Sequence, residues 1–174
     1  TTDGATKWFL VDENNPTGYA QVVEERDAAT GDVDRVYTYG LDLVAEHVIP
    51  GPNAPPSATR YFGSDGLGTT RLLTDDTGAV TDRFWYDAFG TLLRRTGTFG
   101  THYLYTGEQS DPALGMIYLR ARTMQPDLGR FWTRDKWEGD GEVPGTINGY
   151  IYALNRPVRF QDPTGFSPEI TLTG

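Results

Sequence analysis

Cysteine is absent from the 174 residues, which excludes disulfide stapling, thiol catalysis and cysteine-ligated metals. Long apolar runs are missing as well. Nothing approaches the roughly 20 residues that a membrane-spanning helix needs, and residues 1–10 have neither the basic n-region nor the apolar h-region of a signal peptide. Positive charge is scarce: 15 Lys and Arg stand against 24 Asp and Glu, a net charge of −9. Such a chain repels a phosphate backbone, so nucleic acid is not an expected partner. The two histidines, His47 and His102, have no second His or Cys at ligand spacing, and no metal or other cofactor is expected. Hydrophobic residues reach only 37%, a scarcity that by itself points to disorder.

What the chain has instead is rings and turns. Aromatics make up 13% of it, and such large side chains bury much area from few positions. Its 21 Gly and 11 Pro are more than helix interiors tolerate. An ordered, turn-rich β protein is the expectation. The length suits one domain or a piece of a larger one, and a chain opening on Thr1 in mid-pattern reads as the latter.

A short strand–turn–strand pattern recurs. Thr30-Gly31-Asp32-Val33-Asp34-Arg35-Val36-Tyr37 parallels Thr77-Gly78-Ala79-Val80-Thr81-Asp82-Arg83-Phe84-Trp85, with one extra residue before the second Asp-Arg. Aromatics close these runs at Tyr39, Tyr61, Tyr86 and Tyr105, with spacings of 22, 25 and 19 residues, a drifting repeat. Within one unit, Asp75-Asp76-Thr77-Gly78 supplies side chains that bond the local backbone and a glycine that accepts positive φ. Ala79–Tyr86 then alternates as a strand, and Asp87-Ala88-Phe89-Gly90 turns again. No unit buries its apolar face alone, so stacked hairpins sharing one sheet are expected. The proline-rich stretch at residues 50–58 reads as a loop within this repeat region, residues 1–110. From Asp111 to Gly174 the texture is less regular. Met116–Met124 reads as a strand or a short helix, and Asn148–Asn155 as a short helix stopped by Pro157.

Several stretches resemble the Rhs/YD-repeat family, bacterial relatives of the β-shell of teneurins and of the C component of Tc toxin complexes. Arg60–Arg71 (RYFGSDGLGTTR) is similar to the family's Asp-x-Leu-Gly-Ser-x-Arg segment. Arg83–Gly90 (RFWYDAFG) is similar to its Tyr-Asp-x-Phe-Gly signature. Tyr105–Glu108, Gly115–Arg122, Gly129–Asp135, Asn155–Val158 and Asp162–Phe166 resemble the Rhs core-associated region in order. The resemblance runs from about Thr59 to Phe166. It implies antiparallel hairpins coiled into part of a hollow β-shell, with residues 111–174 as an irregular plug carrying one or two short helices. It also implies a polymorphic toxin exported as part of a larger bacterial protein, secreted or held at the cell surface. The partners would be its own C-terminal cargo and the remaining shell repeats.

In several members of that family the core ends in an aspartyl protease that cuts its own chain. Two close carboxylates divide the labour, one holding a proton as acid and the other activating water. Carried onto this sequence, the resemblance makes Asp135 and Asp162 the catalytic pair and Phe166-Ser167 the scissile bond. Arg134 would hold the first carboxylate charged or stabilise the developing oxyanion. The chain departs from the pattern in reading Asp135-Lys136-Trp137-Glu138-Gly139 where the family has Asp-Pro-x-Gly, and its spacing to Asp162 is longer. Self-cleavage is the most enzymatic activity the sequence suggests. Read structurally, Asp135 caps a turn and Asp162 begins one. A different class of function is a non-enzymatic structural or adhesive surface module that associates through sheet edges or binds glycans. Trp85, Trp132 and Trp137 could then stack on a sugar, although core packing is the expected use of such rings.

Overall fold

A computed structural model of the chain describes residues 6–50, 58–142, 144–166 and 169–170. Eight strands lie in one sheet in sequence order: β1 (Lys7–Asp12), β2 (Gln21–Asp27), β3 (Val33–Tyr39), β4 (Leu43–Val48), β5 (Ala58–Ser64), β6 (Thr70–Thr74), β7 (Val80–Tyr86) and β8 (Leu92–Thr96). The β1–β5 pairings and the β6–β7 pairing are antiparallel. The proline-rich loop expected at residues 50–58 falls, at 51–57, outside the described residues. Among the described residues no helix is long and apolar enough to cross a membrane.

The repeat has one physical module. Asp65, Asp75 and Asp87 each use Oδ1 to accept backbone N–H groups two and four residues on, at 2.9–3.1 Å. Their own N–H groups donate to the carbonyl four residues ahead. The fourth residue of each turn, Gly68, Gly78 and Gly90, sits at φ 74°, 84° and 95°, a region open to glycine at little cost. The carboxylate and the glycine together reverse the chain, so the strands on either side must be antiparallel neighbours.

The chain divides into two compact units. The first takes the chain up to Gly63 with Leu72–Arg83 and Thr96–Phe99; the second takes Ser64–Arg71, Phe84–Arg95 and everything from Gly100. In the first, Tyr37, Ala45 and Leu73 are buried together with three acids, Glu25, Glu46 and Asp82. The register sets Glu25 opposite Arg35 and Tyr37 opposite Glu46. Opposed residues share a face, so Arg35 pairs with Glu46 and the Tyr37 hydroxyl donates to Glu25 Oε1 at 2.6 Å. Burial and the Glu25 charge push the Tyr37 phenol far above its ordinary pKa.

The second unit holds a four-stranded sheet in the order β12-β11-β10-β9, from β9 (Gln109–Asp111), β10 (Met116–Leu119), β11 (Arg122–Gln125) and β12 (Arg130–Phe131). A pair, β13 (Phe160–Gln161) and β14 (Glu169–Ile170), comes after it. Met116–Met124 is therefore a hairpin, with Leu119 opposite Arg122 across the two-residue turn Arg120-Ala121. Its core packs Tyr105, Ile117, Leu119, Met124, Phe131, Tyr152 and Ala153. Ring centroids lie 6.2 Å apart for Tyr86–Tyr105 and 5.8 Å apart for Phe131–Tyr152. The Tyr105 hydroxyl donates to the Ala88 carbonyl at 2.8 Å, and a Cβ at Gly90 would overlap the Tyr105 ring. That close approach explains the glycine ending Tyr-Asp-x-Phe-Gly.

The helix expected over Asn148–Asn155 does not form. Only a 3-10 turn, Ala153–Asn155, is present, with φ of 48°, 50° and 58° at its three residues. Eight residues are too few to sustain a helix without packing. Here packing favours the turn, because Ile151 bridges to Arg130 while Tyr152 and Ala153 enter the core. The other helical elements are also 3-10 turns, Tyr105–Gly107 and Pro144–Thr146.

Candidate functional site

Asp135 and Asp162 meet in the second unit at one arginine. Asp135 comes after β12, and its backbone N–H donates to the Gly149 carbonyl at 2.8 Å. Its Oδ1 accepts the Trp137 N–H at 2.9 Å. Asp162 comes directly after β13 and is 1% exposed; its Oδ1 accepts the Phe166 N–H at 3.1 Å and the Thr164 hydroxyl at 3.3 Å. Each Oδ1 is thus consumed by a turn, as the structural reading of the sequence expects. Each Oδ2 faces an arginine instead. Arg122 Nη2 lies 2.8 Å from Asp135 Oδ2 and 3.3 Å from Asp162 Oδ2, so the two oxygens are within about 6 Å of each other.

Arg122 is the residue that sequence reasoning missed. It opens β11 on the same face as Met124, a core-facing position, and is 8% exposed. Its Nε donates to the Gly165 carbonyl and its Nη1 to the Gly149 carbonyl at 3.0 Å, while the guanidinium lies 3.5 Å over the Phe131 ring. Burial lowers its pKa, and the two carboxylates work in the opposite direction. The signal was a cation on the apolar side of an alternating strand, where nothing but a buried partner would keep it.

Arg134 is solvent-exposed, and the guanidinium that meets the two carboxylates is that of Arg122. Phe166 is half exposed; Ser167 lies outside the described residues. Arg122, Asp135, Trp137, Asp162 and Phe166 line a small depression open to solvent. Trp132 and Trp137 are 63% and 51% exposed, so they are not the core rings expected of them, and Trp85 is 40% exposed beneath Arg94.

A second ion pair stands behind the first. Arg120 Nη1 donates to Glu108 Oε1 at 2.8 Å and also to the Pro163 carbonyl. Burial pushes the Glu108 carboxyl up to about 7 against the pull of Arg120, with the Asp162 charge adding to the rise.

No protein-family model matches the chain. Over 83% of its length it is 33% identical to the tRNA(Glu)-specific nuclease WapA of Bacillus subtilis subsp. natto. Over 94% it is 29% identical to the double-stranded DNA deaminase toxin A of Burkholderia cenocepacia. A crystal structure of TcdB2-TccC3 superposes on 94% of the chain with a TM-score of 0.67 at 18% identity. The chain is an Rhs-related region. It spans only 6% of the WapA relative, 11% of the deaminase toxin and 9% of the TcdB2-TccC3 chain. The mainly antiparallel β fold expected from the sequence is that of the Rhs-shell neighbours. In this Rhs-related region the Asp-x-x-Gly turn of the hairpins recurs at Asp162-Pro163-Thr164-Gly165, where the Gly165 N–H donates back to the Asp162 carbonyl at 3.3 Å.

Proposed function

We propose that this Rhs-related region is the C-terminal core of a polymorphic toxin or shell protein, that it encloses or presents a C-terminal cargo, and that it cuts its own chain after Phe166. Residues 1–110 supply shell hairpins and residues 111–174 the plug. The cargo and the remaining shell repeats are its partners, and it is exported within a larger protein. One observation carries the cleavage reading: the Oδ2 atoms of Asp135 and Asp162 converge on Arg122, and the Asp162 turn itself holds Phe166.

The cut requires Arg122 to release one Oδ2, so that one carboxyl holds a proton while the other takes a proton from water. Water adds to the Phe166 carbonyl carbon as the acid protonates its oxygen. The C–N bond then breaks, its nitrogen taking up a proton to leave as the Ser167 amine, with Phe166 as the new carboxyl terminus. The test is intact mass on the chain extended past Gly174. A wild-type break after Phe166, abolished in Asp162→Asn, is expected. Both chains remaining whole in a folded sample would remove the protease and leave a scaffold.

A second reading rests on β1. Trp8, Phe9, Leu10 and Val11 are 45–59% exposed on this edge strand, which favours edge-to-edge association in a non-enzymatic module. Mass that grows with concentration in light scattering, and is lost in Phe9→Lys, supports it; constant mass does not.

A further inference from the structure

The hairpin turn between β10 and β11 takes hold of the chain just ahead of Phe166. Three successive carbonyls are gripped by three successive residues. Arg120 Nη1 donates to the Pro163 carbonyl, the Ala121 backbone N–H to the Thr164 carbonyl at 3.2 Å, and Arg122 Nε to the Gly165 carbonyl. The two segments fit closely enough that a Cβ at Gly165 would overlap the Leu119 carbonyl oxygen. Pro163 and Gly165 are buried there, whereas Phe166, one residue on, is exposed.

We propose that the Leu119–Arg122 turn is a main-chain clamp that holds the segment ending at Phe166, the residue before the proposed cut, in place for the two aspartates, with Arg120 its positioning residue; this deepens, and rests on, the self-cleavage reading above. The choice of groups fits that task. Every bond is made to a carbonyl, so the grip is indifferent to the side chains beyond Phe166. Arg122 belongs to both devices, holding Gly165 with Nε and facing both carboxylates with Nη2, so segment position and carboxylate position are tied through one rigid fork. Arg120 sits at φ 57°, a left-handed position that glycine would adopt with less strain. What arginine adds is a guanidinium reaching Pro163, steadied by Glu108. After the cut the same bonds retain the new carboxyl terminus, so each chain turns over once and its plug stays seated.

Arg120→Gly removes the guanidinium while easing the turn, and it also takes from Glu108 its ion-pair partner, so exchange of the Met124 and Tyr152 amides in the core is followed as the check that the fold is kept; Arg120→Lys restores a cation able to reach the same carbonyl. Both are made in the chain extended past Gly174. In the wild-type background, Arg120→Gly is expected to slow release at least tenfold and to spread the cut over neighbouring bonds in the intact mass, with Arg120→Lys recovering most of the rate and the single cut. In an uncut Asp135→Asn background, hydrogen exchange of the Ala121 and Phe166 amides is expected to rise at least tenfold in Arg120→Gly alone. Unchanged exchange at both amides overturns the clamp, whatever happens to cleavage. Faster exchange in a protein whose wild type never cuts overturns the self-cleavage reading and the positioning role with it. Cleavage of Arg120→Gly at the wild-type rate and bond overturns the positioning role while leaving the dyad standing.

Discussion

Replacing Arg122 with methionine tests whether the guanidinium is what makes the Asp135–Asp162 cluster tolerable. The side chain is 8% exposed, so solvent screening does little to weaken its contacts. It donates to the Gly149 and Gly165 carbonyls and to Asp162, and pairs with Asp135. Methionine keeps much of the volume over the Phe131 ring, so the loss is electrostatic rather than a cavity. Removing one partner of a buried ion pair costs about 3–5 kcal/mol, because the remaining charge is left unpaired in a poor solvent. Asp162, 1% exposed, is the charge left behind. Neutralising it should therefore recover part of the loss: Asp162→Asn in the Arg122→Met chain is expected to restore at least about 1.5 kcal/mol, whereas Asp162→Asn alone destabilises. Urea unfolding, followed by aromatic fluorescence and by exchange of the Met124 and Tyr152 amides in the same core, gives the four corners of the cycle. Loss of less than about 1 kcal/mol in Arg122→Met, or purely additive effects, would refute the account of a charge cluster held by one guanidinium.

The pH dependence of stability is expected to carry a Glu108 signature. Its folded pKa of about 7 lies above the ordinary 4.5, so its contribution is fully present below pH 4.5 and is lost as pH rises through 7. The difference between Glu108→Gln and wild type should move in the variant's favour by roughly 3 kcal/mol between pH 4.5 and 8; a flat difference across urea titrations refutes the burial account. At the turns, Gly90→Ala meets the Tyr105 ring at φ 95°, while Gly78→Ala meets nothing within 4 Å at φ 84°. Thermal unfolding should show Gly78→Ala costing about 1 kcal/mol and Gly90→Ala at least about 2 kcal/mol more; equal shifts would mean that the ring approach is not what requires Gly90.

Much of the fold was legible because its signals are local. An aspartate three residues before a glycine reverses the chain by bonds spanning five residues, so Asp65, Asp75 and Asp87 announce their turns in the sequence alone. Alternation between those turns then allows little but antiparallel strands. The segment at Asn148–Asn155 was misread because its composition suits a helix, while a long-range demand, the burial of Tyr152 and Ala153, sets its backbone. The exposed Trp132 and Trp137 failed for a related reason: composition says how much ring area a chain has, not which rings find an opposing layer.

The division at the candidate site is similar. Sequence by itself determined the β class, the turn positions and the motifs that nominate Asp135 and Asp162, since each depends on neighbours along the chain. Only the tertiary structure decided that a residue 13 positions before Asp135 and 40 before Asp162 joins them, that each aspartate gives one oxygen to its turn and the other to Arg122, and that the β10–β11 turn grips the carbonyls before Phe166. A buried charge is stable only where its partners converge, and convergence is a property of how the strands pack, which no short stretch of sequence contains.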